Sequence, residues 1–133
     1  MLRRSISLSV LLATLFAGLS GCALFEPKSD EEAVAQRAQG WVDALLEQDY
    51  TAAYEFTSPG FKTRESARKY SKRYAGSGMW TKGAVEKVVC EVDSCNVTVR
   101  IHYKMKSSGI IASLPMKENW LKVDGQWWLY HTK

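Results

Sequence analysis

From Cys95 to Met105 the chain reads CNVTVRIHYKM, and apolar and polar residues alternate without a break. Cys95, Val97, Val99, Ile101, Tyr103 and Met105 share one face, and Asn96, Thr98, Arg100, His102 and Lys104 share the other; this predicts a half-buried antiparallel strand. Ser107 to Gly109 turn the chain into IIASLPMKENWLKV, a long segment that Pro115 is expected to interrupt with a bulge or an edge position. VDGQWWLYH follows as a hairpin through Asp124-Gly125, a pair suited to a type I′ turn. With the valine-rich run before Cys90, these segments make a four-stranded meander.

The first half of the chain repeats with a helical period instead. SDEE is a capping box, with Ser29 as N-cap and Glu32 three residues on, and it opens a helix to about Gln48. Val34, Ala38, Trp41, Val42 and Leu45 lie on one face of it, so it packs on something flat and apolar. Gly40 costs about 1 kcal/mol relative to Ala there, which points to a close backbone approach near Trp41. Asp49 caps a second helix carrying Ala53, Tyr54 and Phe56, ended by Ser58-Pro59-Gly60. Thr63 starts a third, with Ala67, Tyr70 and Tyr74 inward and Gly76 and Gly78 closing it. The layout predicted is α+β: N-terminal helices packed on a curved, mainly antiparallel four-stranded sheet.

Ahead of this domain, Arg3-Arg4, an apolar run from Ile6 to Phe16 and then LSGC read as a targeting segment. The run is too short and too interrupted for a membrane span, which needs roughly 20 apolar residues. LSGC resembles the lipobox of bacterial lipoprotein signal peptides. The resemblance implies residues 1–21 as signal, cleavage before Cys22, acylation of Cys22, and residues 22–29 as a short tether to a domain over 30–133. Several acyl chains anchor a protein stably. Ala23 after the cysteine implies, by the same resemblance, the outer membrane, with the domain facing the periplasm. A twin-arginine signal is disfavoured because the hydrophobic residues expected just after the pair are missing.

An oxidising compartment changes the reading of CEVDSC. By spacing alone, Cys90 and Cys95 suit a metal clip, a redox pair or a bridge. A zinc site needs two more ligands, and His102 and His131 show no ligand spacing, so no metal is expected. A catalytic dithiol more usually has two intervening residues at a helix start. A tight hairpin, with Val92-Asp93 or all of Glu91 to Ser94 at its tip, sets the cysteines opposite each other at roughly 4.5 Å between Cα atoms, which a disulfide accepts. The net charge of +4 includes Arg3 and Arg4, so the mature domain is only mildly basic and carries no nucleic-acid footprint.

The helix pair WVDALLEQDYTAAYEFTSPGF, with Trp41, Asp49, Tyr50, Tyr54 and Phe61, and the hairpin NWLKVDGQWWLY resemble the nuclear transport factor 2-like superfamily, from Asp30 onward. That resemblance implies a cone in which a curved sheet wraps a long helix. The superfamily holds ketosteroid-isomerase-like enzymes and non-catalytic envelope lipoproteins alike, so the fold does not name a function. No cofactor is expected.

Strand register supplies one candidate pocket acid. If Cys90 opposes Cys95, Glu86 opposes Val99 on the apolar face, where burial raises a carboxyl's pKa and suits it to act as a base. A bulge turning Glu86 outward is the competing expectation. His102 and His131 read as solvated surface histidines. Lys62, Arg64, Arg68, Lys69, Lys72 and Arg73 make the third helix basic, either as a solvated face or as a patch for anionic lipid. Pairing across Asp124-Gly125 gives the last hairpin two apolar faces, Leu121, Val123, Trp128 and Tyr130 on one and Trp120, Trp127 and Leu129 on the other. One face suffices for the helices. Because Lys122 neighbours Trp127, the Trp120, Trp127 and Leu129 face is expected outside, as an interaction surface for a homodimer or an envelope partner. The sequence thus favours a non-catalytic, lipid-anchored module binding a partner or a small apolar ligand; the alternative is an isomerase or hydratase using a pocket acid.

Overall fold

The computed structural model describes residues 27–131. The signal segment and Cys22 lie outside the described residues. Helix α1 (Asp30–Leu46) is capped as the sequence predicts, with Ser29 Oγ accepting from Glu32 N–H and the Glu32 side chain accepting from Ser29 N–H. Val34, Ala38, Trp41, Val42 and Leu45 are all fully buried, so the apolar face reads correctly. Helix α2 (Tyr50–Glu55) is capped by Asp49. The Ser58-Pro59-Gly60 stretch does not simply break the chain. Ser58 caps a one-turn helix α3 (Pro59–Lys62), with Pro59 in the first turn, where a missing N–H costs nothing. Helix α4 (Ala67–Tyr74) begins at Ser66 rather than Thr63, because the Ser66 hydroxyl accepts from Lys69 N–H.

A 3-10 turn over Ala75–Met79 leads into the sheet, β1 (Trp80–Glu91), β2 (Ser94–Lys104), β3 (Ile111–Val123) and β4 (Gln126–Tyr130), ordered 1-2-3-4 and antiparallel throughout. Cys90 pairs with Cys95 across a turn at Val92-Asp93, and the two form a disulfide with Cα atoms 4.0 Å apart. Asp124 and Gly125 both take positive φ, as a type I′ turn requires. Pro115 causes no bulge: Arg100 stands opposite it in unbroken register. Since β4 covers only Asn119 to Val123, β3 has a single neighbour at Pro115, and the edge position tolerates the missing donor.

The bulges lie in β1, between Trp80 and Lys82 and between Val85 and Lys87. The second leaves Glu86 without a partner and corrects its expected place. Glu86 faces outward, where Arg100 Nε donates to its carboxylate at 3.0 Å. On the helix side, the Gln39 amide donates to Gly83 O and accepts from Val85 N–H, closing the free edge of β1 as a strand would. At Gly83 helix and sheet approach closely. A Cβ there would collide with Val42 Cγ1 and come within 3.1 Å of Ile101 Cδ1. At Gly40 the neighbour is the Phe56 ring, 3.2 Å from where a Cβ would stand.

The last hairpin is also reversed from expectation. Trp120 and Leu129 are fully buried and Trp127 is 4% exposed, all within the core against α1. Lys122 does not hold Trp127 in water. Its ammonium reaches over the rim to Asp30 Oδ1 at 2.9 Å, beside the Trp127 indole N–H, which donates to the same oxygen. Asp30 is the first residue of α1, so a lysine on the helix-facing side finds its countercharge at the helix start. The outer face of the hairpin carries Leu121, Val123, Trp128 and Tyr130 instead.

Candidate functional site

Reversing that face also relocates the pocket chemistry. Along β3, side chains alternate, so Trp120 inside means that Glu118 and Met116 are inside as well. The pairing agrees: Glu118 opposes Val97 and Met116 opposes Val99, two buried residues of the concave face. Glu118 is therefore the inward acid of this sheet, and Glu86 is not. Burial pushes its carboxyl up from 4.5 to about 7, so near neutrality it divides between the protonated and charged forms.

Helix α4 supplies the opposite wall. Tyr70, fully buried, accepts from the Trp41 indole N–H at 2.7 Å, which leaves its own proton free to donate. Tyr74 stands edge-on to Trp41 and tilted against Tyr70, with ring centroids at 5.6 and 4.8 Å. Burial, reinforced by the Glu118 charge, raises both phenols above their ordinary range, so each stays a neutral donor.

His131 completes the group and is not a solvated surface residue. Its ring lies 4.9 Å from Phe61 and 5.8 and 6.0 Å from Tyr70 and Tyr74, and its Nε2 is buried with no partner. Burial, with Arg73 nearby, lowers its pKa to about 4, so it is neutral at pH 7. His102 keeps to the outer face, opposite Lys82.

The inward carboxyl of Glu118 thus acts on the Tyr70 and Tyr74 phenols, and the neutral imidazole of His131 packs against the same two rings, which together form an aromatic cup. A cavity of about 400 Å³ adjoins it, between Tyr74 and Trp80 on one side and Tyr103 and Leu114 on the other. Leu114 shares the inward face of β3 with Glu118, roughly 13 Å along the strand. Such an arrangement can seat an apolar body, hydrogen-bond a polar group on it, and exchange a proton with that group. Among the described residues no three His, Cys, Asp or Glu side chains gather as metal ligands.

Of the residues singled out in the sequence, Cys90 and Cys95 are joined; Glu86 is removed from the pocket, and Trp120, Trp127 and Leu129 from the surface. The basic stretch is largely solvated: Lys62 pairs with Glu55 and Arg73 with Glu65. Glu118 escaped notice because its signal, an acid two residues from Trp120, has meaning only once the inward face is known.

No protein-family profile matches the chain, and no curated protein is significantly similar to it. Solved structures do share its fold. A nuclear transport factor 2-like protein of unknown function from Shewanella oneidensis superposes with a TM-score of 0.54 at 15% identity, over 74% of this chain and 92% of that one. A cystatin-like protein of unknown function from Nostoc punctiforme gives 0.56 at 10% identity, over 75% and 85%. A ketosteroid isomerase-like protein from Erwinia carotovora gives 0.50 at 16% identity, over 76% and 92%. At these identities the likeness is one of fold: helices on a four-stranded antiparallel sheet, as in the nuclear transport factor 2-like cone.

Proposed function

We propose that this protein is a lipid-anchored module of the cell envelope, facing the periplasm from the outer membrane, whose cup binds a small and largely apolar molecule through one polar group. The observation that carries the ligand reading is the inward carboxyl of Glu118 acting on the buried phenols of Tyr70 and Tyr74, against which His131 packs. The anchoring reading rests on the Leu19-Ser20-Gly21-Cys22 sequence. A half-buried carboxyl near its midpoint loses less by meeting a hydrogen-bonding ligand than by facing an apolar wall.

The test is to extract the full chain gently from membranes and identify co-purifying small molecules by mass spectrometry, beside Glu118→Leu and Cys22→Ser. The reading expects a compound enriched with the wild type and lost with Glu118→Leu, and an unprocessed, unacylated Cys22→Ser precursor. Equal small-molecule content in wild type and Glu118→Leu sinks the ligand reading, and an unacylated wild type sinks the anchor.

A second reading is catalytic, and the raised pKa of Glu118 favours it. A carboxyl poised near 7 suits proton transfer at carbon next to a carbonyl, with the tyrosines donating to the oxygen. Deuterium exchange into enolisable ketones, abolished by Glu118→Gln, is its expected signature; no exchange across such a panel leaves binding alone.

A further inference from the structure

Outside the cup, Arg37 stands in an unusual setting. It lies on α1 one turn from the buried Val34 and Trp41, and its guanidinium carbon is 5.2 Å from the Phe56 ring centroid and 5.5 Å from that of Trp128. Trp128 is the outward residue of β4, between the inward Trp127 and Leu129, and the cation covers an aromatic surface that would otherwise be exposed. Arg37 Nε is buried and has no hydrogen-bond partner, and no carboxylate pairs with Arg37 among the described residues.

Its neighbour Lys62 places a second cation 5.7 Å from the same Trp128 centroid, paired at 2.7 Å with Glu55. Glu55 therefore compensates Lys62, and the charge of Arg37 has no carboxylate paired with it among the described residues. Beside it opens a groove of about 320 Å³ between Arg37, Phe56, Gln126 and Trp128, with Glu55 at its side. Ring contacts stabilise a guanidinium through its π-facing side, but its N–H donors are satisfied only by acceptors near its own plane. A carboxylate matches that edge through two parallel hydrogen bonds, which a point-like anion does not.

We propose that this groove is a second binding site, separate from the cup, for a small monocarboxylate: its carboxylate meets the guanidinium of Arg37, and its apolar tail lies against Phe56 and Trp128. One free charge selects a monoanion. The aromatic walls select an apolar tail.

The test uses the full chain labelled with ¹⁵N, in non-ionic detergent, titrated with hexanoate at constant ionic strength and, separately, with hexanol. The Arg37 Nε–Hε resonance, identified by its loss in Arg37→Lys, is expected to shift saturably with hexanoate and not with hexanol. By tryptophan fluorescence, Arg37→Lys should weaken hexanoate binding by on the order of tenfold, since a lysine cannot offer the bidentate edge. Glu55→Gln, which removes the competing carboxylate, should tighten it, and Glu118→Gln in the cup should leave it unchanged. The absence of a saturable shift in the wild type overturns the proposal without any variant. So does an equal response to hexanol, or unchanged affinity in a folded Arg37→Lys. Loss of binding in Glu118→Gln would assign the carboxylate to the cup instead.

Discussion

Glu118→Gln should make the protein more stable at pH 8 and leave it unchanged near pH 4. The glutamine keeps the shape of the protonated acid and cannot acquire its charge. In the wild type, a carboxyl raised from 4.5 to about 7 holds its proton in the fold after the unfolded chain has released it. Between those values the native state binds more protons than the unfolded one, so stability falls as pH rises. Relative to acid, the loss is complete above about pH 7. At about 1.4 kcal/mol for each tenfold change in proton affinity the full shift comes to roughly 3.5 kcal/mol, and about 2 is a fair expectation for a carboxyl that still touches solvent. His131 acts in the opposite sense. With its pKa lowered to about 4 from 6.5, the unfolded chain binds the extra proton, and stability rises with pH across that interval. The wild-type profile should therefore be nearly flat from about pH 4.5 to 6.5, because the two cancel, and should decline towards pH 7. In Glu118→Gln only the histidine limb remains, rising to about pH 6.5 and then level. Urea unfolding of both proteins at half-unit steps from pH 4 to 8 measures the difference directly. A constant offset between the curves, or a variant less stable at pH 8, would show that Glu118 does not sit on the concave face in the state described.

The packing at Gly83 and on the last hairpin gives further expectations. Gly83→Ala drives a methyl into Val42 and should cost about 1 to 3 kcal/mol in urea unfolding; a cost below about 0.5 would mean that helix and sheet are not in contact there. Trp127→Ala should cost about 3 to 5 kcal/mol as a core truncation, while Trp128→Ala, which removes an outer ring held by two cations, should cost about 1 to 2, and the reverse ranking would restore the opposite sheet face. Joint replacement of Cys90 and Cys95 by Ala should cost about 2 kcal/mol, the value for so short a loop; alkylation of both cysteines in the unreduced wild type would show that the bridge does not form.

The local chemistry of this chain was legible wherever a single segment decides the outcome. The Ser29 capping box, the apolar face of α1, the alternation of β2 and the Asp124-Gly125 turn each depend on residues a few positions apart, and each has the predicted form. The opposition of Cys90 and Cys95 followed from the same short-range geometry, since a tight turn fixes which side chains face each other; the choice of a bridge over a metal clip or a redox pair rested on the expected oxidising compartment. What needed the tertiary structure was parity. Alternation states that Glu118, Trp120 and Lys122 share a face, but β3 and β4 are apolar on both sides, and nothing within them says which side meets α1. Burial of Trp120, Trp127 and Leu129 in the core with α1 decides it, and it brings Lys122 and Trp127 to Asp30, some ninety residues away in sequence. A single inserted residue had the same power in β1. The bulge after Val85, beside the strand edge closed by Gln39, turns Glu86 from the apolar face to Arg100 outside. Because side chains in a strand repeat every two residues, one step of register or one choice of face moves a whole row of groups between core and water. That is why the alternation alone put Glu86 on the inward face, and only the fold gives that place to Glu118.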